Sequence, residues 1–212
     1  MATSTVENYL KATLLHEQEN EGIVPMGAFV EALGVVPGTV TTMVKAMATQ
    51  GLLEHESRQG VRLTPVGRAL ALGVLRKHRL VETFLVQTLK MDWSEVHEEA
   101  EALEHSVSDR VLERIDEYLG HPTVDPHGDP IPDAEGRIAE AATQVTMQSC
   151  AINKSLRVAR ILDQSPDFLD YVQDNGLKPG AKVKVVRREE TSGVLRCELA
   201  AGAEVMLGLP AA

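Results

Sequence analysis

Cysteines and long hydrophobic runs are scarce in this chain of 212 residues. Its two cysteines, Cys150 and Cys197, are too few for a disulfide framework or a cysteine-rich zinc site, and they suit a reducing compartment. The chain has no run of about 18 apolar residues, and residues 1–30 lack a signal-peptide pattern. We therefore expect a cytoplasmic protein that neither spans a membrane nor is exported.

An excess of basic residues is also lacking, because 21 Lys and Arg face 31 Asp and Glu, for a net charge of −10. This balance argues against nucleic-acid binding. The charge is unevenly distributed, however. Residues 1–80 have 8 basic and 7 acidic side chains, and residues 141–212 have 9 basic and 8 acidic ones. Residues 81–140 have 4 basic and 16 acidic side chains, so the acidic excess lies in the middle of the chain. Five of the seven histidines fall within or just before that region. A solvated acidic helix face is one interpretation, and a cation site is the other.

The first third of the chain has the pattern of a winged helix-turn-helix. A capping box at Ser4 and Glu7 opens a first helix, and helices are predicted over Met26–Leu33 and Thr39–Gln50. Two short β-segments, Leu52–Glu56 and Val61–Thr64, then flank a basic turn. In such a unit the third helix enters the major groove of DNA. The residues expected to face DNA are Pro37, Gly38, Thr39, Thr41, Thr42 and Lys45 on that helix, and Arg58, Gln59 and Arg62 on the wing.

The DNA-facing set has no Arg or Gln on its helix for bidentate contacts to bases. Threonine hydroxyls and backbone N–H groups position phosphates, so part of the specificity is expected to come from DNA shape. A plain hydroxyl-rich surface helix is the alternative interpretation of the same residues.

Two long helices are predicted next, from Pro65 to about Lys90 and from Asp92 or Ser94 to Leu119. The second carries an apolar stripe, which suits either a dimer interface or packing inside one subunit; it comprises Val96, Ala100, Leu103, Val107, Val111 and Ile115. Beyond Lys154 the pattern changes to short strands around one short helix, which predicts a small β-barrel of about 55 residues. The predicted strands are Leu156–Leu162, Lys182–Val186, Val194–Leu199 and Glu204–Leu207, and the helix is Asp167–Gln173. The fold class is therefore mainly α with a small amount of β.

Carboxylates and imidazoles share one face of the second long helix. At about 100° per residue, His97, Glu101, Glu104 and His105 lie within one 100° sector beside the apolar stripe, where uncompensated carboxylates would be costly. On the preceding helix His78 and Glu82 are i,i+4 neighbours. Oxygen-rich sets with imidazole suit manganese or ferrous iron better than structural zinc. From the pattern alone, metal sites and a salt-bridged, solvated helix pair both stay open.

Three motifs resemble the diphtheria-toxin-repressor family of metal-dependent regulators, including its manganese-responsive branch. In order along the chain they are Arg76-Lys77-His78-Arg79-Leu80 with Glu82, the segment His97 to His105, and Pro126-His127-Gly128-Asp129-Pro130-Ile131-Pro132. The resemblance covers nearly the whole chain. It implies a winged-helix DNA-binding domain over 1–74, a helical dimerisation and metal-binding domain over 75–140, a linker over 141–154 and an SH3-like (FeoA-type) barrel over 155–212.

The resemblance also implies two metal sites. The primary, activating site would use Asn8, Glu101, Glu104 and His105, and the second site would use His78, Glu82 and His97. Asp125 and His127 are further candidates for the second site, because some family members carry Cys-Pro-His-Gly where this chain has Asp125-Pro126-His127-Gly128.

This sequence departs from the family at two of those positions. Iron-responsive members carry Cys where this chain has Glu101, and the harder carboxylate favours Mn²⁺ over Fe²⁺. Asn8 replaces the usual Asp or Met, and Glu7 or a water is the alternative ligand. A barrel contribution to the second site stays open among Asp163, Gln164, Ser165 and Asp167. Zn²⁺, Co²⁺ and Cd²⁺ are expected to bind in vitro.

These expectations describe a homodimeric repressor of metal-homeostasis genes that binds a palindromic operator on double-stranded DNA when metal is bound. A metal-independent winged-helix regulator that senses another ligand is the alternative. An enzyme is not expected, because the Glu-x-x-His spacing of di-metal oxidases is absent: positions 94 and 102 are Ser and Ala. The His-Glu-x-x-His spacing of zinc proteases is absent as well.

Overall fold

The computed structural model describes residues 3–20, 22–56, 59–139, 144–200 and 202–208. These residues form two compact units. The first unit comprises the residues up to His78, Leu103–Ser108 and Pro132–Arg137. The second unit comprises Arg79–Ala102, Asp109–Ile131 and the residues from Ile138 onward. Along the chain the elements are α1 (Ser4–Asn20), α2 (Met26–Leu33), α3 (Pro37–Thr49), β1 (Leu53–Glu56), β2 (Gly60–Leu63), α4 (Pro65–Leu89), α5 (Val96–Glu104), α6 (Asp109–Leu119), β3 (Ser155–Arg157), α7 (Pro166–Asp174), β4 (Lys182–Glu189), β5 (Val194–Leu199) and β6 (Glu204–Gly208).

The first unit holds the predicted winged helix-turn-helix. Strands β1 and β2 pair antiparallel, with Leu53 opposite Leu63. Helices α1, α2 and α3 bury their apolar faces in one core with the hairpin. Within that core the rings of Tyr9 on α1 and Phe29 on α2 stack with centroids 5.3 Å apart. Since α1 packs against its neighbours through this core, its position governs that of the recognition helix α3.

Local capping signals explain most helix boundaries of this unit. Gly34 ends α2 in the left-handed conformation, with φ 63°. Thr64 Oγ1 accepts a hydrogen bond from the backbone N–H of Gly67 at 3.0 Å, with Pro65 as the first residue of α4. At α1 the expected capping box is wrong: Thr3 Oγ1, not Ser4, accepts from a first-turn N–H, that of Val6 at 3.4 Å.

The long helix predicted to run to Leu119 is interrupted. Helix α5 ends at Glu104 and α6 starts at Asp109, because the backbone N–H groups of Ser106 and Val107 turn back to the carbonyl of Leu103. The two serines in this break favour caps and turns over helix interiors. The expected continuous helix is therefore wrong, and its apolar positions are divided between α5 and α6. Within the single chain Leu103 and Val111 are 39% and 50% exposed, whereas Glu104 is buried.

The second unit contains the small barrel. Its four strands form one antiparallel sheet in the order β3, β4, β5, β6. Strand β5 has the predicted bounds, whereas only two residues of the segment predicted over Leu156–Leu162, Leu156 and Arg157, lie in a strand, β3. Trp93 and Cys150 are buried in the same core as the barrel strands.

Among the described residues, no single helix is long and apolar enough to cross a membrane. Helices α2 and α3 reach such a composition only as a pair bent by 113°, and both contribute buried side chains to the core of the first unit.

Two glycines of α4 offer a matched test of this packing. A Cβ on Gly67 would lie 2.0 Å from the backbone oxygen of Leu52, whereas a Cβ on Gly73 meets nothing within 4 Å. Gly67→Ala should therefore destabilise the protein by about 1–3 kcal/mol through overpacking. Gly73→Ala should be neutral or stabilise by up to about 1 kcal/mol through helix propensity. Thermal denaturation of both variants measures the difference, and equal melting temperatures would contradict the close approach of α4 to the backbone of Leu52.

Candidate metal centre

A buried carboxylate at the end of α5 organises the first cluster, which lies within the first unit. Glu104 is 1% exposed. The ammonium of Lys11, on α1, donates to both carboxylate oxygens at 2.8 Å. The ring Nδ1 of His78, on α4, lies 2.7 Å from Oε2. One carboxylate thus joins three segments that are far apart in the sequence.

These partners keep Glu104 ionised. Burial alone would raise the pKa of this carboxyl group, but the hydrogen bond from His78 and the charge of Lys11 outweigh it, so the pKa lies below its ordinary value. The cluster therefore presents a buried anion at neutral pH.

His105 adjoins this carboxylate and is oriented by a second one. Its Nδ1–H donates to Oε2 of Glu7, on α1, over 2.6 Å. Its Nε2 is buried and 3.3 Å from Glu104 Oε1, and no described residue hydrogen-bonds to it. A histidine whose one nitrogen donates to a carboxylate presents the lone pair of the other nitrogen, as metal-bound histidines do.

Asn8 supplies a further buried oxygen in the first unit. No described residue donates a hydrogen bond to its Oδ1. Buried carbonyl oxygens without a donor are rare in folded proteins and call for an explanation. The amide oxygen, the His105 lone pair and the Glu104 carboxylate are the donor types that Mn²⁺ and Fe²⁺ accept, so the residues present fit a divalent ion.

The second cluster lies wholly within the second unit. Glu82, Asp125 and His127 are all buried, and one ligand atom of each lies within 4.8 Å of the others. Asp125 Oδ1 accepts hydrogen bonds from the backbone N–H groups of His127 and Asp129, both at 2.9 Å. The Asp125-to-Asp129 loop therefore fixes the carboxylate beside the imidazole.

His127 is held in one tautomer. Its Nε2 lies 2.9 Å from the backbone oxygen of Trp93, to which it must donate, and the two rings stack with centroids 5.4 Å apart. Nδ1 is buried, and no described residue hydrogen-bonds to it. The lone pair of Nδ1 is thus available to a cation. Gly128, with φ 91°, keeps the loop close to the barrel, because a Cβ there would lie 2.2 Å from the oxygen of Ala159.

Like charges mark this cluster as incomplete without a cation. Burial, and then the charges of Glu82 and Asp129, raise the pKa of Asp125 to about 7, against the opposing effect of Arg79. Arg79 Nε lies 3.6 Å from Asp125 Oδ2. The guanidinium offsets only part of the repulsion, and a divalent ion would remove the rest.

The remaining predicted ligands lie near these clusters. His97 Nδ1 is 3.2 Å from Glu82 Oε1, and its Nε2 is 3.8 Å from Glu101 Oε1, so both residues adjoin the second cluster. His78, predicted as a ligand of the second site, bonds Glu104 of the first. Among the barrel candidates, Gln164 donates to Asp129 at 2.6 Å and contacts the loop that carries the ligands.

The predicted DNA-facing residues are at the surface of the first unit. Pro37, Gly38, Thr39, Thr41, Thr42, Lys45, Gln59 and Arg62 are exposed, and Arg58 lies outside the described residues. The hydroxyls of Thr41 and Thr42 donate to backbone oxygens one turn earlier at 3.0 Å, which leaves their acceptor lone pairs outward. Arg62 pairs with Glu56 at 3.0 Å.

Sequence reasoning missed Lys11 and the positioning role of Glu7. A signal was present, since Glu7 and Lys11 are i,i+4 neighbours on α1 and Asn8 is i,i+3 to Lys11, which puts all three on one face.

Comparison with known proteins agrees with this architecture. Residues 1–61 match the model described as the N-terminal DNA binding domain of iron dependent repressors, residues 64–133 their metal binding and dimerisation domain, and residues 145–212 the FeoA domain. The iron-dependent repressor IdeR of Mycobacterium leprae is 34% identical over 193 residues, covering 85% of this chain and 83% of that protein.

Two solved structures are similar over nearly the full length. A manganese-dependent transcriptional repressor in complex with manganese superposes with a TM-score of 0.90 at 39% identity, covering 97% of this chain and 95% of that one. ScaR with bound Cd²⁺ gives a TM-score of 0.77 at 34% identity, covering 97% and 94%.

Fold and clusters together define a winged-helix regulator with a helical dimerisation domain and an SH3-like FeoA barrel. The chain belongs to the diphtheria-toxin-repressor and IdeR family of iron- or manganese-dependent transcriptional repressors. The family consists of DNA-binding regulators, in agreement with the prediction that this protein is not an enzyme.

Glu7 is expected to act on metal binding through His105. Glu7→Gln keeps the shape of the side chain but weakens its hold on the Nδ1–H, so Mn²⁺ affinity at the first cluster should fall by about 10- to 100-fold. Glu19→Gln, an exposed change on the same helix, is the matched control. Isothermal titration calorimetry measures both; unchanged affinity in Glu7→Gln would contradict the positioning role.

Asp125 should make the stability of the metal-free protein depend on pH. The pKa of Asp125 is about 7 in the folded chain and about 3.9 in the unfolded chain. At a pH between these two values the folded chain therefore holds a proton on Asp125 that the unfolded chain has lost. The free energy of unfolding should therefore fall as pH rises from about 4 to 7. Asp125→Asn should remove that part of the slope, whereas the exposed Asp170→Asn should not. Chemical denaturation in chelator across this range tests it, and parallel slopes in all three proteins would refute it.

Proposed function

We propose that this protein is a homodimeric repressor of metal-ion homeostasis genes that binds a palindromic operator when Mn²⁺ occupies its metal sites. We assign to the primary site Asn8, Glu104 and His105, which lie in the first unit, and to the second site Glu82, His97, Asp125 and His127, which lie in the second unit. Glu101 and His78 are the further ligands that the sequence predicts. Fe²⁺ is the second physiological candidate, and Zn²⁺, Co²⁺ and Cd²⁺ are expected to bind in vitro by the ordinary divalent series.

The observation that carries the proposal is the pair of oriented imidazoles. His105 and His127 each fix one nitrogen on an oxygen acceptor and keep the other buried without a hydrogen-bond partner among the described residues. A carboxylate oxygen of Glu104 lies 3.3 Å from His105 Nε2, and His127 clusters with the carboxylates of Glu82 and Asp125. Both cysteines are buried in the barrel core, so the donors are nitrogen and oxygen, which favours Mn²⁺ or Fe²⁺ over a thiolate-bound zinc.

A bound ion supplies two positive charges that neutralise the buried carboxylates. Its effect on the DNA-binding helices depends on this chain's own residues. Asn8 is on α1, and Glu104 and His105 belong to the 103–108 segment of the same unit. Residues that hold α1 on that segment also fix α3, since the three helices share one core. The result is a narrower set of positions for the recognition helix, which is how a ligand shifts a population of conformers.

The N-terminal end of α3 suits phosphate and base contacts. Pro37 opens α3, and the first turn of the helix has no acidic residue that would repel a phosphate. Lys45 and the outward lone pairs of Thr41 and Thr42 extend this surface, and Gln59 and Arg62 belong to the wing. Arg58, outside the described residues, is a further contact that the sequence predicts. Two copies related by a twofold axis would match half-sites about one helical turn apart.

The test is Mn²⁺-dependent DNA binding. Operator sequences are first selected from random duplexes with the Mn²⁺-loaded protein, and mobility shifts then compare Mn²⁺ with chelator. His105→Ala should lower operator affinity in Mn²⁺ to the chelated level while its melting curve without metal stays cooperative. Wild-type DNA affinity of His105→Ala in Mn²⁺ would overturn the proposal.

Lys45→Ala provides the complementary variant. It should leave Mn²⁺ binding unchanged but weaken DNA binding and reduce its salt slope by about one per subunit. Loss of metal binding in this variant, or an unchanged salt slope, would remove Lys45 from the DNA interface.

A further inference from the structure

The side chain of Lys11 has an unusual position for a lysine. Lys11 is 6% exposed, and the carboxylate of its partner Glu104 is fully buried. Lysine is almost never fully buried unless it is paired, because desolvating the ammonium is costly. Here the pairing is complete, since both oxygens of Glu104 accept from the one ammonium at 2.8 Å.

The ammonium occupies the carboxylate oxygens that a divalent ion would need. The lone pair of His105 Nε2 adjoins them, 3.3 Å from Glu104 Oε1. His78, whose Nδ1–H donates to Glu104 Oε2, lies 3.4 Å from the ammonium itself. A second cation on the same oxygens would lie within a few ångströms of the first. At such a separation, and in a buried site, repulsion between like charges is large.

We propose that Lys11 is the resident cation of the first site: its ammonium holds Glu104 in the metal-free protein, and a divalent ion binds by displacing it. This inference rests on the proposed function, because it takes Glu104 as a metal ligand. The four methylene groups of a lysine side chain are flexible, so the ammonium can move to solvent while the methylene groups stay packed.

Displacement has two consequences for the regulator. In the metal-free site Lys11 already ties α1 to Glu104. Asn8 Oδ1 and His105 Nε2, which have no hydrogen-bond partner among the described residues, would be engaged only by an ion. The divalent ion must also compete with a positive charge, so Lys11 raises the metal concentration at which the site fills. Lys11 thereby sets the threshold of the response.

The first experiment compares Mn²⁺ affinity in Lys11→Gln, Lys11→Arg and Lys45→Gln. Free Mn²⁺ is measured by electron paramagnetic resonance in the absence of DNA. Lys11→Gln removes the competing charge and should bind Mn²⁺ at least about tenfold more tightly. Lys11→Arg keeps the charge and should bind no more tightly than the unmodified chain. Lys45→Gln removes an exposed charge from the same unit and should change nothing. Unchanged or weaker Mn²⁺ binding in Lys11→Gln would overturn the inference.

Glu104→Gln separates this inference from the proposed function. If Glu104→Gln, with Lys11 unchanged, binds Mn²⁺ as well as the unmodified chain does, the first metal site is misassigned, and the role of Lys11 fails with it. If Glu104→Gln removes one Mn²⁺ but Lys11→Gln gains no affinity, the metal site stands and only the displacement mechanism is wrong.

A measurement on the unmodified chain covers the case in which Lys11→Gln does not fold. Amine acylation followed by mass spectrometry reports how accessible each lysine is, with Lys45 as the exposed internal standard. Lys11 should react slowly in chelator and several-fold faster in saturating Mn²⁺. It should react fast in Glu104→Gln whether or not metal is present. Equally slow acylation of Lys11 with and without Mn²⁺ would show that the ammonium stays on Glu104.

Discussion

The ionised carboxylate of Glu104, buried at the end of α5, is the constraint on which the first unit depends. It contacts Lys11 from α1 and His78 from α4, and it adjoins His105. Burying such a charge is tolerated only with partners of opposite sign and satisfied hydrogen bonds, and removing one partner of a buried pair typically costs about 3–5 kcal/mol. The helix that supports the DNA-binding core is therefore held to residues 103–108 by a charged contact, which an ion can replace.

Each cluster orients one histidine through a hydrogen bond to one of its ring nitrogens. Glu7 fixes His105 and the backbone oxygen of Trp93 fixes His127, so that in each ring one nitrogen donates and the other keeps its lone pair. The clusters differ in how they treat excess negative charge. The charge of Glu104 is neutralised by a lysine ammonium at 2.8 Å. Asp125 has a guanidinium at 3.6 Å and two acidic neighbours, and its pKa is raised to about 7. The charge of the first cluster is thus compensated without metal, whereas that of the second is compensated only in part.

Local signals in the sequence predicted local structure well. Helix α2 and strand β5 have their predicted bounds, because a terminal glycine and strict alternation mark them. The break after Glu104 was not predictable from periodicity, since Val107 and Val111 continue the helical spacing of the preceding stripe. The pairing of Lys11 with Glu104 spans 93 positions. Family resemblance supplied the candidate ligands, and helical spacing puts Lys11 on the same face of α1 as Glu7 and Asn8. Its role as the counter-ion of Glu104 is seen only in the folded contacts.

The weak basic charge of the first 80 residues now has a physical account. Of its eight basic residues, Lys11, Arg62 and Arg68 pair with acidic side chains of the same unit. The positive field available to attract DNA is accordingly smaller than the count suggests, and long-range attraction alone would give little affinity. Affinity must then come from placing helix termini, hydroxyls and the remaining cations of two subunits on the duplex together. A regulator that relies on placement more than on charge responds strongly to whatever fixes α1, and in this chain a metal ion and a lysine compete for that role.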